Sequence, residues 1–170
     1  MLLLQEASGN DDANSLIESM RAKLKKATLE DLDEIHAIES RTFKKDAFSR
    51  REFHRLLTEP NAIVFELVAN GRILALVAGE TRQSSMHTVG VIQTIEVLPA
   101  FRRQGLGTKL IASILREFAR RGVTSAVLQL RPNNHNAKRL YKKMGFTFRR
   151  SIADFYGPKE DALEFERPIP

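Results

Sequence analysis

The sequence predicts an α+β protein: a twisted, mostly antiparallel central sheet of about six to seven strands, flanked by about four helices. Three observations carry this. Runs of β-favouring residues at 62–68, 73–81 and 89–97 follow one another, and Asn70-Gly71 between the first two is a tight-hairpin signal. An apolar-periodic helix over 105–121 then separates 89–97 from a further β run at 123–130, which requires a crossover. A chain of 170 residues is one domain of ordinary size, able to bury its own core.

The elements follow in order. Residues 1–20 are polar and weakly patterned, with Ser8-Gly9-Asn10-Asp11-Asp12 as a breaker cluster. They read as a flexible tail with a short helix at 15–20, ahead of a single domain over 21–170. At 22–26, Ala22 and Leu24 alternate with lysines as in a short strand. Thr28, with Asp31 three residues on, starts a helix whose buried side is Leu32, Ile35 and Ile38. Ser49 with Glu52 forms a capping box for a second helix, to about Leu57. Three strands, the long helix and another strand follow. Residues 134–144 form a last helix closed by Gly145, and strands at 146–150 and 162–166 end the chain.

Composition excludes several chemistries. There is no cysteine, hence no disulfide, thiolate catalysis or cysteine-held metal. His36, His54, His87 and His135 lack a metal-ligand spacing, so no metal is expected. No apolar run is long enough for a membrane span. Met1-Leu2-Leu3-Leu4 is too short and lacks the basic flank of a signal peptide, so a cytoplasmic protein is expected. The net charge of +6 is uneven: residues 100–150 hold thirteen basic side chains and a single acid, Glu117. That half suits a ligand with several phosphates. Nucleic acid is disfavoured, because neither interleaved aromatics nor a recognition helix accompanies the charges.

The segment Ile95-Glu96-Val97-Leu98-Pro99-Ala100-Phe101-Arg102-Arg103-Gln104-Gly105-Leu106-Gly107-Thr108 is the most informative. A β run ends at a proline, and a basic, glycine-punctuated turn opens onto Leu106, Leu110, Ile114 and Phe118 at helical spacing. Such a turn aims backbone N–H groups and a positive helix end at one point, which suits a diphosphate. Gly105 and Gly107 are read here as positions where a Cβ would obstruct the ligand. No Gly-Lys-Ser/Thr triplet follows, and Leu110 stands where a dinucleotide fingerprint needs glycine.

This turn resembles the coenzyme A loop of the GNAT acetyltransferases, R/Q-x-x-G-x-G/A, with Arg102, Gly105 and Gly107 on its positions. Downstream, Asn134, Ala137, Leu140, Tyr141, Gly145 and Phe146 are similar to that family's N-x-x-A-x-x-L-Y-x-x-x-G-F pattern. Within the superfamily the chain looks closest to RimI- and Ard-like N-terminal acetyltransferases. Ile38-Glu39, Phe43 and Phe48-Ser49 resemble their first helix and substrate loop, and 155–162 partly matches their Y-Y-x-x-G-E-D-A ending. Phe155 replaces a tyrosine there and Lys159 the glycine.

The resemblance implies a GNAT-type three-layer fold, acetyl-CoA as cosubstrate, and direct attack of an amine on the thioester. It implies that backbone groups at Ile95 and Val97 hold the pantetheine. Arg102, Arg103, Gln104, Gly105, Leu106, Gly107 and Thr108 would take the diphosphate, and Asn134 the pantetheine arm. Tyr141 would protonate the leaving thiolate. Phe43, Phe48, Gln93, Gln129 and Tyr156 would line the acceptor site. A homodimer is compatible with the resemblance.

The general base is the gap. Val91, Gln93 and Gln129 stand where relatives often carry an ionisable group, and none of them titrates. Glu96 is the nearest acid and the catalytic candidate, although alternation turns it away from Gln93 unless a bulge intervenes. Glu39 and His87 are outside candidates. A site without a strong base favours an α-amine, so a protein or peptide N-terminus is the expected acceptor. The alternatives are a small-molecule amine, which would want Asp46, Glu66 and Glu80 to converge, and a non-catalytic acetyl-CoA-binding module.

Overall fold

The protein is described here as a computed structural model covering residues 14, 16–83 and 87–170. Residues 1–13 of the expected tail, with Ser15, lie outside the described residues. A helical turn over 16–21 leads into β1 (Lys23–Lys26), α1 (Leu32–Phe43) and α2 (Arg50–Thr58). Then come β2 (Ala62–Ala69), β3 (Arg72–Gln83), β4 (Thr88–Val97), α3 (Leu106–Arg120), β5 (Ser125–Leu130), α4 (His135–Lys143), β6 (Thr147–Gly157) and β7 (Glu160–Pro168).

The seven strands form one sheet in the order β1-β2-β3-β4-β5-β7-β6, with β4–β5 the single parallel pair. Parallel neighbours need a crossover, and α3 supplies it. Asn70 and Gly71, with φ of 50° and 73°, make the β2–β3 turn that their residue types predict. Leu106, Leu110, Ile111, Ile114 and Phe118 bury the face of α3 against one side of the sheet. Leu32, Ile35, Ile38, Phe53 and Leu56 of α1 and α2 cover the other. The result is three layers, with two apolar cores separated by the sheet.

Ser49 caps α2 as expected: its hydroxyl accepts from Glu52 N at 3.2 Å, while the Glu52 carboxylate accepts from Ser49 N at 2.6 Å. Ser49→Ala is expected to cost about 1 kcal/mol, or roughly 3 °C in Tm. An unchanged melting curve would show that the cap contributes nothing.

Two features depart from the sequence pattern. Strands β6 and β7 run well beyond the expected 146–150 and 162–166. Strand β6 is the outer edge and mostly exposed, so it carries no apolar alternation to mark its length. The second departure shapes the site. Ala78 pairs with Thr94 but Gly79 pairs with Ile92, so Gln93 is an extra residue bulging out of β4. Beyond Ile92 and Leu128 the β4–β5 pairing stops and the strands part.

Candidate active site

The parting of β4 and β5 leaves the β4 edge from Gln93 to Val97 without a β5 partner, pointing towards the turn at 102–108. Ile95 and Val97 are half-buried against the α3-side core. In the turn, Arg103 and Gly105 have φ of 62° and 83°, and Gly105 is the N-cap of α3. The first four N–H groups of a helix have no intrahelical partner, so this end is a ready anion cradle.

Each glycine also has a role within the fold itself. A Cβ on Gly105 would touch nothing within 4 Å; the position needs glycine for its left-handed backbone. A Cβ on Gly107 would meet Leu140 Cδ2 at 3.0 Å, so this glycine lets α4 pack against the start of α3. Arg102 Nε donates to Val97 O at 2.9 Å, which ties the turn to the strand. Ser19 in the opening helical turn bonds the Gln104 side chain, and Lys109 Nζ donates to Ala22 O at 2.9 Å. Residues ahead of β1 therefore brace the anion turn from outside.

Tyr141 is buried on α4, edge-on to Phe146 at 6.0 Å. Burial, followed by the neighbouring Tyr156, pushes its hydroxyl pKa up. Asn134 is the N-cap of α4, and its Oδ1 accepts from Ala137 N at 3.1 Å. Its Nδ2 takes no part in this cap and suits the pantetheine role that the resemblance implies.

The bulge decides the opposite face. Because Gln93 is inserted, Gln93 and Thr94 both turn towards α1 and α2, and Glu96 follows on the same side opposite Leu76. The condition for bringing Glu96 round to the Gln93 face is thus met. Gln93 Nε2 donates to Glu80 at 3.1 Å, and Gln129 Nε2 donates to Glu164 at 2.7 Å. Burial works against both glutamates, but Arg55 and Arg82 hold Glu80 charged, and Arg150 with the Gln129 amide does so for Glu164. Both pKa values lie below the ordinary range, and each glutamine is fixed with Oε1 left as acceptor.

Glu39 and Glu96 differ. Glu39 accepts from Thr94 Oγ1 at 3.1 Å and from Phe48 N at 3.3 Å, and burial raises its pKa to about 7. Glu96 is 3 % exposed and neither carboxylate oxygen has a hydrogen-bond partner. Burial, followed by the charge of Glu39, raises it to about 8.

A clasp lies at the end of β5 on this side of the sheet. Arg131 Nη2 meets Asp46 at 2.6 Å and Glu160 at 2.8 Å, its guanidinium lies 4.3 Å from the Tyr156 ring centroid, and Lys45 bonds Glu160. The α1–α2 connection and the β6–β7 hairpin are thereby tied across the end of β5. Phe48 lies on this connection, edge-on to Phe53 at 5.9 Å, and Phe43 is half-buried at the end of α1.

Gln93, Gln129, Glu96, Phe48 and Tyr156 thus share the α1/α2 side of the sheet. His87 is exposed ahead of β4. Asp46, Glu66 and Glu80 do not converge: they pair separately with Arg131, Lys25 and Arg55. Thr94 and Arg131 were not singled out from the sequence; a threonine beside a bulge carries no signal until the register is known. Among the described residues no group of His, Asp or Glu could hold a metal ion, and no helix is long and apolar enough to cross a membrane.

Comparison with known proteins agrees with this geometry. Residues 29–146 match the Acetyltransferase (GNAT) family. The chain is 32 % identical over 108 residues to the [ribosomal protein bS18]-alanine N-acetyltransferase of Escherichia coli K12, covering 62 % of this chain and 70 % of that protein. The crystal structure of the ribosomal-protein-S18-alanine N-acetyltransferase from Escherichia coli superposes with a TM-score of 0.74 at 26 % identity, over 87 % of this chain and 94 % of the other. Arabidopsis thaliana NAA60 in complex with acetyl-CoA shares the fold, with a TM-score of 0.78 at 20 % identity over 87 % and 98 %. An anion cradle at the head of α3, a parted β4–β5 pair and these matches lead to one conclusion: the chain belongs to the acetyltransferase (GNAT) family and is an acetyl-CoA-dependent N-acetyltransferase.

Proposed function

We propose that the acetyl acceptor is the α-amino group at the N-terminus of a protein or peptide. The observation that carries this is the sheet face beside the parting of β4 and β5. Gln93 and Gln129 occupy it, and their orientation by Glu80 and Glu164 offers two neutral carbonyl acceptors and no strong base. An amine attacks only when neutral. At pH 7, deprotonating an α-amine of pKa about 7.8 costs roughly 1 kcal/mol, against about 4.6 kcal/mol for a lysine near 10.4. The name of the Escherichia coli relative, an alanine N-acetyltransferase acting on a ribosomal protein, supports the same acceptor class.

In this reading the N–H groups from Gln104 to Thr108, with Arg102 and Arg103, hold the diphosphate. The free β4 edge at Ile95 and Val97 holds the pantetheine, with Asn134 Nδ2 beside it. The cosubstrate supplies an activated acetyl thioester, and Tyr141 O–H donates to the departing sulfur. Phe43, Phe48 and Tyr156 flank the peptide. Dependence on acetyl-CoA favours a cytoplasmic location.

The test is a matched peptide panel incubated with acetyl-CoA, with the added acetyl group mapped by mass spectrometry. Peptides with a free α-amine are expected to react at least about 30-fold faster than α-blocked peptides carrying lysine. Equal rates would overturn the assignment.

A further inference from the structure

We propose that Glu39, reached through the Thr94 hydroxyl and paired with Glu96, takes the proton that the acceptor ammonium must lose. This rests on the amine-acetylation reading and names the proton's destination within it.

The argument is one of elimination. Five glutamates are buried among the described residues: Glu39, Glu66, Glu80, Glu96 and Glu164. Three have a cation within 4 Å: Lys25 beside Glu66, Arg55 and Arg82 beside Glu80, and Arg149 and Arg150 beside Glu164. Cations hold Glu80 and Glu164 charged and so make them poor proton acceptors, and Glu66, which burial raises despite Lys25, stands on β2, separated from β4 by β3. Glu39 and Glu96 form no such pair, and the charge of Glu39 is felt at Glu96 on the same side of the sheet. Two carboxylates there cannot both ionise cheaply, so the pair retains a proton and takes one back readily.

The other charged groups facing the pair leave that logic in place. Glu52 of α2 adds negative charge near Glu39. Arg102, after β4, offsets the charge of Glu96, but its Nε is spent on Val97 O.

The bulge provides access. It sets Thr94 next to Gln93, at the point where β4 leaves β5, and Thr94 Oγ1 already donates to Glu39 Oε2. A hydroxyl accepts one proton as it passes its own on. The acceptor ammonium gives a proton, through a water, to Thr94 Oγ1, whose own proton moves to the Glu39 carboxylate. The freed nitrogen lone pair forms the C–N bond as the thioester C–S bond breaks. Tyr141 O–H donates a hydrogen bond to the departing sulfur, and the released thiolate takes its proton from solvent. The second ammonium proton and the one held by Glu39 leave to solvent, so one amide, one thiol and one net proton result.

Glu39→Gln keeps an acceptor for Phe48 N and a partner for Thr94 but cannot take a proton. It is expected to lower kcat about 30-fold at pH 7, with the deficit shrinking towards pH 9 as the amine becomes neutral unaided. Thr94→Val should behave alike, Thr94→Ser should restore most of the rate, and KM for acetyl-CoA should stay fixed in all three. If α-amine peptides are turned over and both damaging variants keep the wild-type rate and pH profile, the relay is wrong and the acceptor assignment stands. If the wild type ignores α-amines, the assignment itself has failed. A ¹³C NMR titration of the two carboxyls needs no acceptor: they should titrate as a coupled pair above the usual glutamate range, and two independent steps near that range would overturn the relay.

Discussion

Tyr141→Phe is expected to slow turnover about 100-fold while leaving acetyl-CoA affinity within about twofold. The ring is buried in the α3-side core and packs edge-on to Phe146, and phenylalanine keeps that packing. Only the hydroxyl is lost. Burial holds its pKa above the ordinary value, so it stays protonated throughout the working range. A departing thiolate therefore meets a donor that has not titrated away. Transfer to a thiolate of pKa about 8.5 is not downhill from such a phenol, so the gain comes from hydrogen bonding to charge as it develops on sulfur. A transition-state-only interaction lowers kcat and kcat/KM together. Steady-state kinetics with calorimetry of coenzyme binding checks both halves. A variant within twofold of wild type would remove Tyr141 from the chemistry, and weakened binding would make it a packing residue.

What the sequence disclosed and what it concealed divide along a physical line. Local chemistry was legible. Ser49 with Glu52, Asn70-Gly71 and the turn at 102–108 act through neighbours a few residues away, and each is in place. The capping role of Asn134 Oδ1 is also local, but a motif position drew attention to the ligand first. Concealed features arise from register and from distant pairing. Nothing in Val-Ile-Gln-Thr-Ile-Glu announces a bulge at Gln93; it follows from the fit of β4 against β3. Thr94 reaches Glu39 across 55 positions, and Arg131 reaches Asp46 across 85. Glu96 was seen as an acid near the site, but its isolation could only be found once α1 lay over it. The edge strand β6 shows the same limit, since an exposed strand leaves no burial pattern to read.

The isolation of Glu96 has a thermodynamic consequence that is independent of catalysis. Its native pKa of about 8 and that of Glu39, about 7, both exceed the ordinary value of 4.5. Between that value and pH 8 the native state keeps protons that the unfolded chain has released. Stability must therefore fall as pH rises through this window and level off above it. Glu96→Gln replaces a buried, unpartnered acid by a neutral side chain of the same shape. It is expected to raise stability at pH 8.5 by about 3 kcal/mol, or roughly 8 °C in Tm, with little change at pH 4.5. Thermal unfolding of wild type and variant at the two pH values decides the matter. Parallel displacement at both would point to packing alone, and destabilisation at pH 8.5 would mean that a cation or a structured water network satisfies Glu96 in solution.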